Sequence, residues 1–388
     1  MSRFSLKVLL LLSLGHLVTD VYQGALPVLL PFLKEKLSLS YTVTGSIMIV
    51  SNLTSSILQP LFGYLSDKKE KGMLLPLGVF AAGLGFSLLA LPQSYLPILL
   101  LVTISGLGVA AYHPEGYKTA HFFTGDRPAT GMSIFSVGGN IGFALGPIAA
   151  ISIVSRLGLS WLPVMVIPSL LFSGIMVFMM KSLTLPTRSA SERAGGGSRE
   201  LPRGTITSLL LVIGVVVMRS WTQIGLMTYI PFYYIDHLKG DPLYAGKLVS
   251  VFLLGGVLGT LGGAPLADRW GHRFFVRLSM LLAAFIFPLI FFVEGTLLFV
   301  VLLLLGMILV STFSVTVVMA QRLLPRNLGI ASGLMVGLAI GTGGIGITLL
   351  GVVADHVGVP FALKSIFILP IFGYILSMIL QYPLQDRT

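Results

Sequence analysis

The sequence predicts an all-α membrane protein, with twelve transmembrane helices arranged as two pseudo-symmetric six-helix bundles. Three observations carry that reading. Hydrophobic residues make up 55% of the 388-residue chain and charged residues only 10%, where soluble globular chains carry about 25% charged residues. Apolar runs long enough to cross a bilayer recur along the whole chain. One long polar stretch interrupts them midway.

The runs lie at residues 7–30, 41–64, 73–91, 95–120, 130–155, 160–180, 205–235, 244–266, 274–292, 296–320, 329–353 and 361–381. A crossing helix needs about 20 residues. Barrel strands would be about half as long and would alternate apolar with polar side chains, which runs such as LLLVTISGLGVAAY do not. The first run is too long and too polar at its centre for a signal peptide. Between the sixth and seventh runs, KSLTLPTRSASERAGGGSRELPRGT reads as a flexible cytoplasmic linker over 181–204. It separates an N-terminal bundle, 1–180, from a C-terminal bundle, 205–388.

Loop charges set the orientation. With both termini and the linker on the cytoplasmic side, that side holds 18 basic residues and the other side 6, with Arg219 left inside a span. This positive-inside bias accounts for the net charge of +11. The basic residues are scattered over short loops rather than gathered on one stripe, which argues against nucleic acid as a partner. The chain has no cysteine, excluding a disulfide scaffold and thiolate chemistry. It has no GxxxxGK[ST] phosphate loop, so an ion or solute gradient must supply the work. No cofactor is expected, and no three histidines outside the spans stand at ligand spacing, so no metal site is expected.

The two halves echo each other. GYLSDKKEKG, 63–72, follows span two, and GAPLADRWGHR, 263–273, follows span eight. Asp67 and Asp268, with Lys68, Arg269 and Arg273 beside them, are candidate gating residues. Their carboxylates would pair with basic residues or meet a neighbouring helix N-terminus; a fixed loop staple is the plainer reading. RPATGMSIFSVGGNIGFALGP opens span five and RNLGIASGLMVGLAIGTGGIG opens span eleven. Gly138, Gly142 and Gly146 share one helix face, as do Gly333, Gly337 and Gly341, allowing close packing. Gly142, Gly146 and Pro147 are further gating candidates.

Charges within the membrane are concentrated in spans one, four and seven. His16 and Asp20, four residues apart, share a helix face, with Gln23 one turn on. Span four carries Tyr112, His113, Pro114 and Glu115. Span seven carries Arg219, Trp221, Gln223 and Tyr229. Ionisable residues at such depth face a cavity or one another and mark a pathway. Asp20, Glu115 and His16 are the candidate proton-handling residues, against structural ion pairs as the alternative. Arg219, a planar fork suited to carboxylate or phosphonate, is a candidate substrate contact or a permanent partner of an acidic residue. His113, Gln23, Tyr22, Tyr112, Trp221, Gln223 and Tyr229 complete the candidate substrate site, or else are packing residues. No nucleophile–base pair is evident, so the chain is not read as an enzyme.

GYLSDKKEKG and GAPLADRWGHR resemble the cytoplasmic loop motif of the major facilitator superfamily, and GNIGFALGP resembles its span-five motif associated with antiport. GHLVTDVYQGALPVLLPFLKEKLSLSY and GLGVAAYHPEGYKTA are similar to the fosmidomycin resistance protein family, carried by His16, Asp20, Gln23, Pro27, His113, Pro114, Glu115 and Gly116. The resemblance implies a multi-pass protein of the bacterial inner membrane. It implies a proton-driven antiporter exporting a small anionic or amphiphilic compound such as fosmidomycin, by alternating access. A proton symporter importing a small organic anion or sugar is the alternative, and a non-transporting membrane sensor a third. The expected partners are a small-molecule substrate, protons and membrane lipids, and the expected state is a monomer.

Overall fold

The computed structural model describes residues 4–39, 41–68, 72–183, 204–234, 238–239, 242–339 and 341–382. Twelve helical spans follow one another in the predicted order. We number them α1 (Leu6–Leu37), α2 (Tyr41–Asn52 and Gln59–Lys68, joined by a π-helical turn, Leu53–Ile57), α3 (Leu74–Ser87, ending in a 3₁₀ turn, Leu88–Ala90), α4 (Tyr95–His121), α5 (Pro128–Leu157) and α6 (a 3₁₀ turn, Leu159–Met165, then Val166–Phe178). The second half gives α7 (Thr205–Phe232), α8 (Pro242–Trp270), α9 (His272–Ile286, with Phe287–Phe291 as a 3₁₀ turn), α10 (Gly295–Ser311 and Phe313–Leu323), α11 (Leu328–Gly333, a π turn Leu334–Ala339, then Gly343–Val357) and α12 (Val359–Ser365 and Ile368–Ile379). Most of the linker, 184–203, lies outside the described residues, as do Lys69, Glu70 and Lys71 of the first loop motif.

Among the described residues, nine of these helices are by themselves long and apolar enough to cross a membrane. α3 is shorter, and α2 and α11 are each broken by a π turn, a feature common at functional positions. Equivalent corners recur in the two halves. Gly158 joins α5 to α6 with φ 93° and ψ 162°, and Gly358 joins α11 to α12 with φ 95° and ψ 157°. Only glycine adopts that conformation without strain.

By contacts the chain divides into two compact units. The first gathers Met1–Asp126, Ile134–Arg199 and Leu324–Gly341; the second gathers Arg127–Ser133, Glu200–Leu323 and Thr342–Thr388. Thus the first turn of α5 packs with the second unit, and the first half of α11 with the first.

Glycine seams hold helices together inside each unit. In the first, a Cβ on Gly138, Gly142 or Gly146 of α5 would meet the carbonyl oxygens of Ser13, Leu17 or Val21 of α1 at 1.9, 2.1 and 2.2 Å. Gly24 of α1 returns the contact, its Cβ position lying 2.3 Å from the Phe143 carbonyl. Gly333 and Gly337 of α11 lie as closely on the carbonyls of Gln59 and Ser56 of α2. In the second unit, Gly255 and Gly259 of α8 press on the carbonyls of Leu303 and Met307 of α10. Such approaches need residues without a side chain at each seam.

Candidate functional site

In the first unit, α1 and α4 bring His16, Asp20 and His113 together. Asp20 lies between the rings, with Oδ2 3.2 Å from His16 Nε2 and Oδ1 2.9 Å from His113 Nε2. All three are buried. The i,i+4 spacing on α1 supplies one contact. The other depends on α4, whose small residues allow close packing and whose Pro114 is accommodated within the helix. His16 stacks on the Phe135 ring at 4.5 Å between centroids, with His113 edge-on at 4.8 Å. A Cβ on Gly139 would lie 2.3 Å from His16 Nε2 and 2.7 Å from Asp20 Oδ2, so this α5 position must be glycine for the cluster to fit.

Two residues that sequence reasoning missed complete the cluster. Gln59 of α2 lies 3.1 Å from His113 Nδ1 through its side-chain nitrogen, which also donates to the Ser55 carbonyl at 2.8 Å. The Phe135 carbonyl lies 3.0 Å from His16 Nδ1. Gln59 carries no charge, whereas charge inside a span is the sequence signal that marks the other members. The signal was nonetheless present: Gln59-Pro60 repeats the polar-proline pairing of His113-Pro114. His16, Asp20 and His113 bring two imidazole nitrogens and a carboxylate oxygen within 4.8 Å of one another. The expectation of no metal site had weighed only histidines outside the spans.

The other first-unit candidates fall around this cluster. Glu115 is buried two residues beyond His113 on α4, and Lys118 donates to the Ser66 carbonyl of α2. Tyr112 donates to the Leu12 carbonyl at 2.6 Å. Tyr22 donates to the Met165 carbonyl at 2.9 Å and accepts from the Ser169 N–H at 3.1 Å. Both phenols are thus tied to backbone. Gln23, which donates to Ser55 Oγ at 3.4 Å, lines a small crevice with Ser51, Ser105 and Phe86.

The second unit holds the remaining candidates. Arg219 is 2% exposed, and its guanidinium carbon lies 5.3 Å from the Phe313 ring centroid, within cation–π range. Trp221 donates to Thr342 Oγ1 at 3.2 Å and packs on Gly346. Tyr229 donates to the Ile347 carbonyl at 3.4 Å. Gln223 is half-buried on the same helix.

The loop aspartates occupy equivalent places, one in each unit. Asp67, at the end of α2, accepts from the backbone N–H groups of Gly329 and Ile330 at 2.8 and 3.0 Å. Asp268, at the end of α8, accepts from those of Ala129 and Thr130 at 3.0 and 2.9 Å, and from Thr130 Oγ1 at 2.7 Å. Each carboxylate therefore caps the start of α11 or α5, where unpaired N–H groups and the helix dipole favour negative charge. His272 Nε2 adds a contact to Asp268 at 3.3 Å. Lys68 lies over the Tyr64 ring, Arg273 donates to the Met378 carbonyl, and Arg269 is exposed. We expect Asp268→Asn, which cannot accept from both N–H groups, to lose about 1–3 kcal/mol, read as a lower thermal midpoint in detergent.

The comparisons with known proteins agree with this architecture. The pattern of the Major Facilitator Superfamily matches residues 12–344. The chain is 34% identical over 371 residues to YfnC, an uncharacterised MFS-type transporter of Bacillus subtilis, covering 94% of this chain and 91% of that one. It is 32% identical over 382 residues to the fosmidomycin resistance protein of Escherichia coli, covering 96% and 92%. The crystal structure of the fucose:proton symporter FucP of E. coli superposes with a TM-score of 0.75 over 98% of this chain and all of that one, at 16% identity.

These findings correct the expectation of an antiporting exporter. A solved symporter shares the fold from end to end, so the fold does not select export, and the symport alternative agrees better with the comparisons. In α5 the glycines of the antiport-associated motif lie against α1 carbonyls as a packing seam. With the superfamily pattern spanning most of its length, on a twelve-helix framework of matching architecture, the chain belongs to the Major Facilitator Superfamily and is a multi-pass membrane transport protein rather than an enzyme.

Proposed function

We propose that the chain is a proton symporter that brings a small organic anion across a bacterial inner membrane, as a monomer with both termini cytoplasmic. The observation that carries this reading is the buried Asp20 carboxylate between His16 and His113. Ionisable groups inside a span are costly to bury and mark ion or proton pathways. In this reading Asp20 and His16 carry the proton, Glu115 serves as a second acidic station, and Arg219 holds the anion. His113, Gln23, Tyr22, Tyr112, Trp221, Gln223 and Tyr229 contribute to the path. The halves 1–180 and 205–388, joined through 181–204, are the moving bodies of alternating access. Asp67 and Asp268 act with Lys68, Arg269, Arg273, Gly142, Gly146 and Pro147 to gate it.

The test is labelled solute uptake into proteoliposomes under an inward proton gradient. Fosmidomycin, a phosphonate for which one relative is named, is the first probe, with fucose as a neutral comparison. Symport predicts accumulation of the anion inside; depletion from the inside would overturn it, and binding without any movement would point to a sensor. Arg219→Lys keeps the charge but loses the planar fork. We expect it to raise the half-saturating anion concentration about tenfold or more, since a charged hydrogen bond contributes about 1.5–3 kcal/mol, while leaving fucose handling unchanged.

A further inference from the structure

The partners of the His16–Asp20–His113 cluster determine where its hydrogens sit. The Gln59 side-chain atom 2.8 Å from the Ser55 carbonyl must be the amide nitrogen, because a carbonyl only accepts. That nitrogen directs its second hydrogen at His113 Nδ1, 3.1 Å away. His113 Nδ1 therefore accepts, its ring hydrogen resides on Nε2, and Nε2–H donates to Asp20 Oδ1 at 2.9 Å. His113 is held as a neutral ring.

His16 is set the opposite way. Its Nδ1 donates to the Phe135 carbonyl at 3.0 Å, which leaves Nε2 facing Asp20 Oδ2 at 3.2 Å. Without a proton between them, a nitrogen lone pair would confront a carboxylate oxygen in a buried site. A single proton removes the conflict, either on Nε2 beside a carboxylate or on Oδ2 beside a neutral ring.

We infer that Gln59 is a positioning residue that bars His113 from taking up a proton and so confines the exchangeable proton to the His16 Nε2–Asp20 Oδ2 pair. This rests on the proton-coupled reading above and goes beyond it by assigning the proton to one contact and the control to α2. Release breaks the Nε2–H or Oδ2–H bond, leaves the electron pair on that atom and passes the proton to water. The two lone pairs then repel, and the contact opens beside Gly139. Other titratable groups around the pair come from α4. Tyr112 and Tyr117 have hydroxyls bonded to the Leu12 carbonyl and to Ser136 Oγ, and Glu115 lies on the side of α4 towards Gly72. α5 and α2 meet the cluster through the Phe135 carbonyl and the Gln59 amide. A metal ion would need bare Nε2 atoms on both rings, and the hydrogen on His113 Nε2 opposes that.

Gln59 opens the helical segment of α2 that follows the π turn, with Gly337 of α11 against its side chain. A shift of α11 on α2 would therefore move the group that sets the state of His113. The assignment links the proton site to the seam between these two helices.

The test is a pH titration of the full-length protein in detergent micelles, labelled with nitrogen-15 histidine and carbon-13 aspartate. The six histidines are assigned by single substitutions. We expect His113 to keep a bare Nδ1 and a protonated Nε2 while the proton is lost from His16 Nε2 or the Asp20 carboxyl. In Gln59→Glu, the new carboxylate accepts from His113, and its Nδ1 signal moves to the protonated position. Protonation of His113 Nδ1 in the wild type with or before the His16–Asp20 pair would overturn the assignment. An unchanged His113 in Gln59→Glu would overturn the role of Gln59. The wild-type titration decides the first point even if the variant fails to fold. Neither needs solute or a gradient, so failure of transport and failure of this assignment are separately visible.

Discussion

Asp20→Asn is expected to abolish proton-driven accumulation while leaving the protein folded and able to exchange solute. One pH unit corresponds to about 1.4 kcal/mol per proton, a tenfold concentration ratio at one proton per solute. Wild-type proteoliposomes under that gradient should approach tenfold accumulation, and the variant should stop at equal concentrations. The fold should tolerate the change for a specific reason. The Asn oxygen can accept from His113 Nε2–H, and its amide can donate to the bare Nε2 of a neutral His16, reproducing both contacts of Asp20. The variant thus imitates the protonated cluster but has no proton to give up. Counterflow of labelled solute, which needs no net proton movement, should persist, and its loss would indicate a damaged binding site instead.

The second large effect is expected at the α1–α5 seam. Gly142→Ala would set a Cβ 2.1 Å from the Leu17 carbonyl oxygen, far inside contact distance, and the obstacle is backbone. α1 and α5 must separate, straining the His16–Phe135 bond at the same interface. Overpacking of this kind costs about 1–3 kcal/mol, and we expect a clearly lowered thermal midpoint together with weakened proton coupling. Gly174→Ala is the matching control. Nothing lies within 4 Å of its added Cβ, and alanine is the better helix former by about 1 kcal/mol, so its midpoint should hold or rise. Equal losses in both variants would show that the seam is not the cause.

The order and extent of the spans were legible because hydrophobic length is a direct readout of bilayer thickness. The α1 half of the site was legible too, since helical periodicity alone puts His16 and Asp20 on one face. The third member was harder. His113 is 93 residues from Asp20, and only packing of α4 on α1 joins them. Gln59 and the Phe135 carbonyl were invisible to a search for charge, yet they determine which atoms carry hydrogen. The π turns were equally hidden, because one extra residue in a helical turn changes no composition. The loop aspartates were found by repetition, but sequence could not tell that Asp67 caps α11 and Asp268 caps α5. Those pairings also explain why the first turn of α5 and the first half of α11 join the units they do.

The measurement that bears most directly on proton symport is the internal pH of proteoliposomes when an inward gradient of fosmidomycin is imposed with no initial pH difference. The account predicts acidification inside as the anion enters, absent in Asp20→Asn. Alkalinisation inside, or solute entry with no pH change in the wild type, would contradict it.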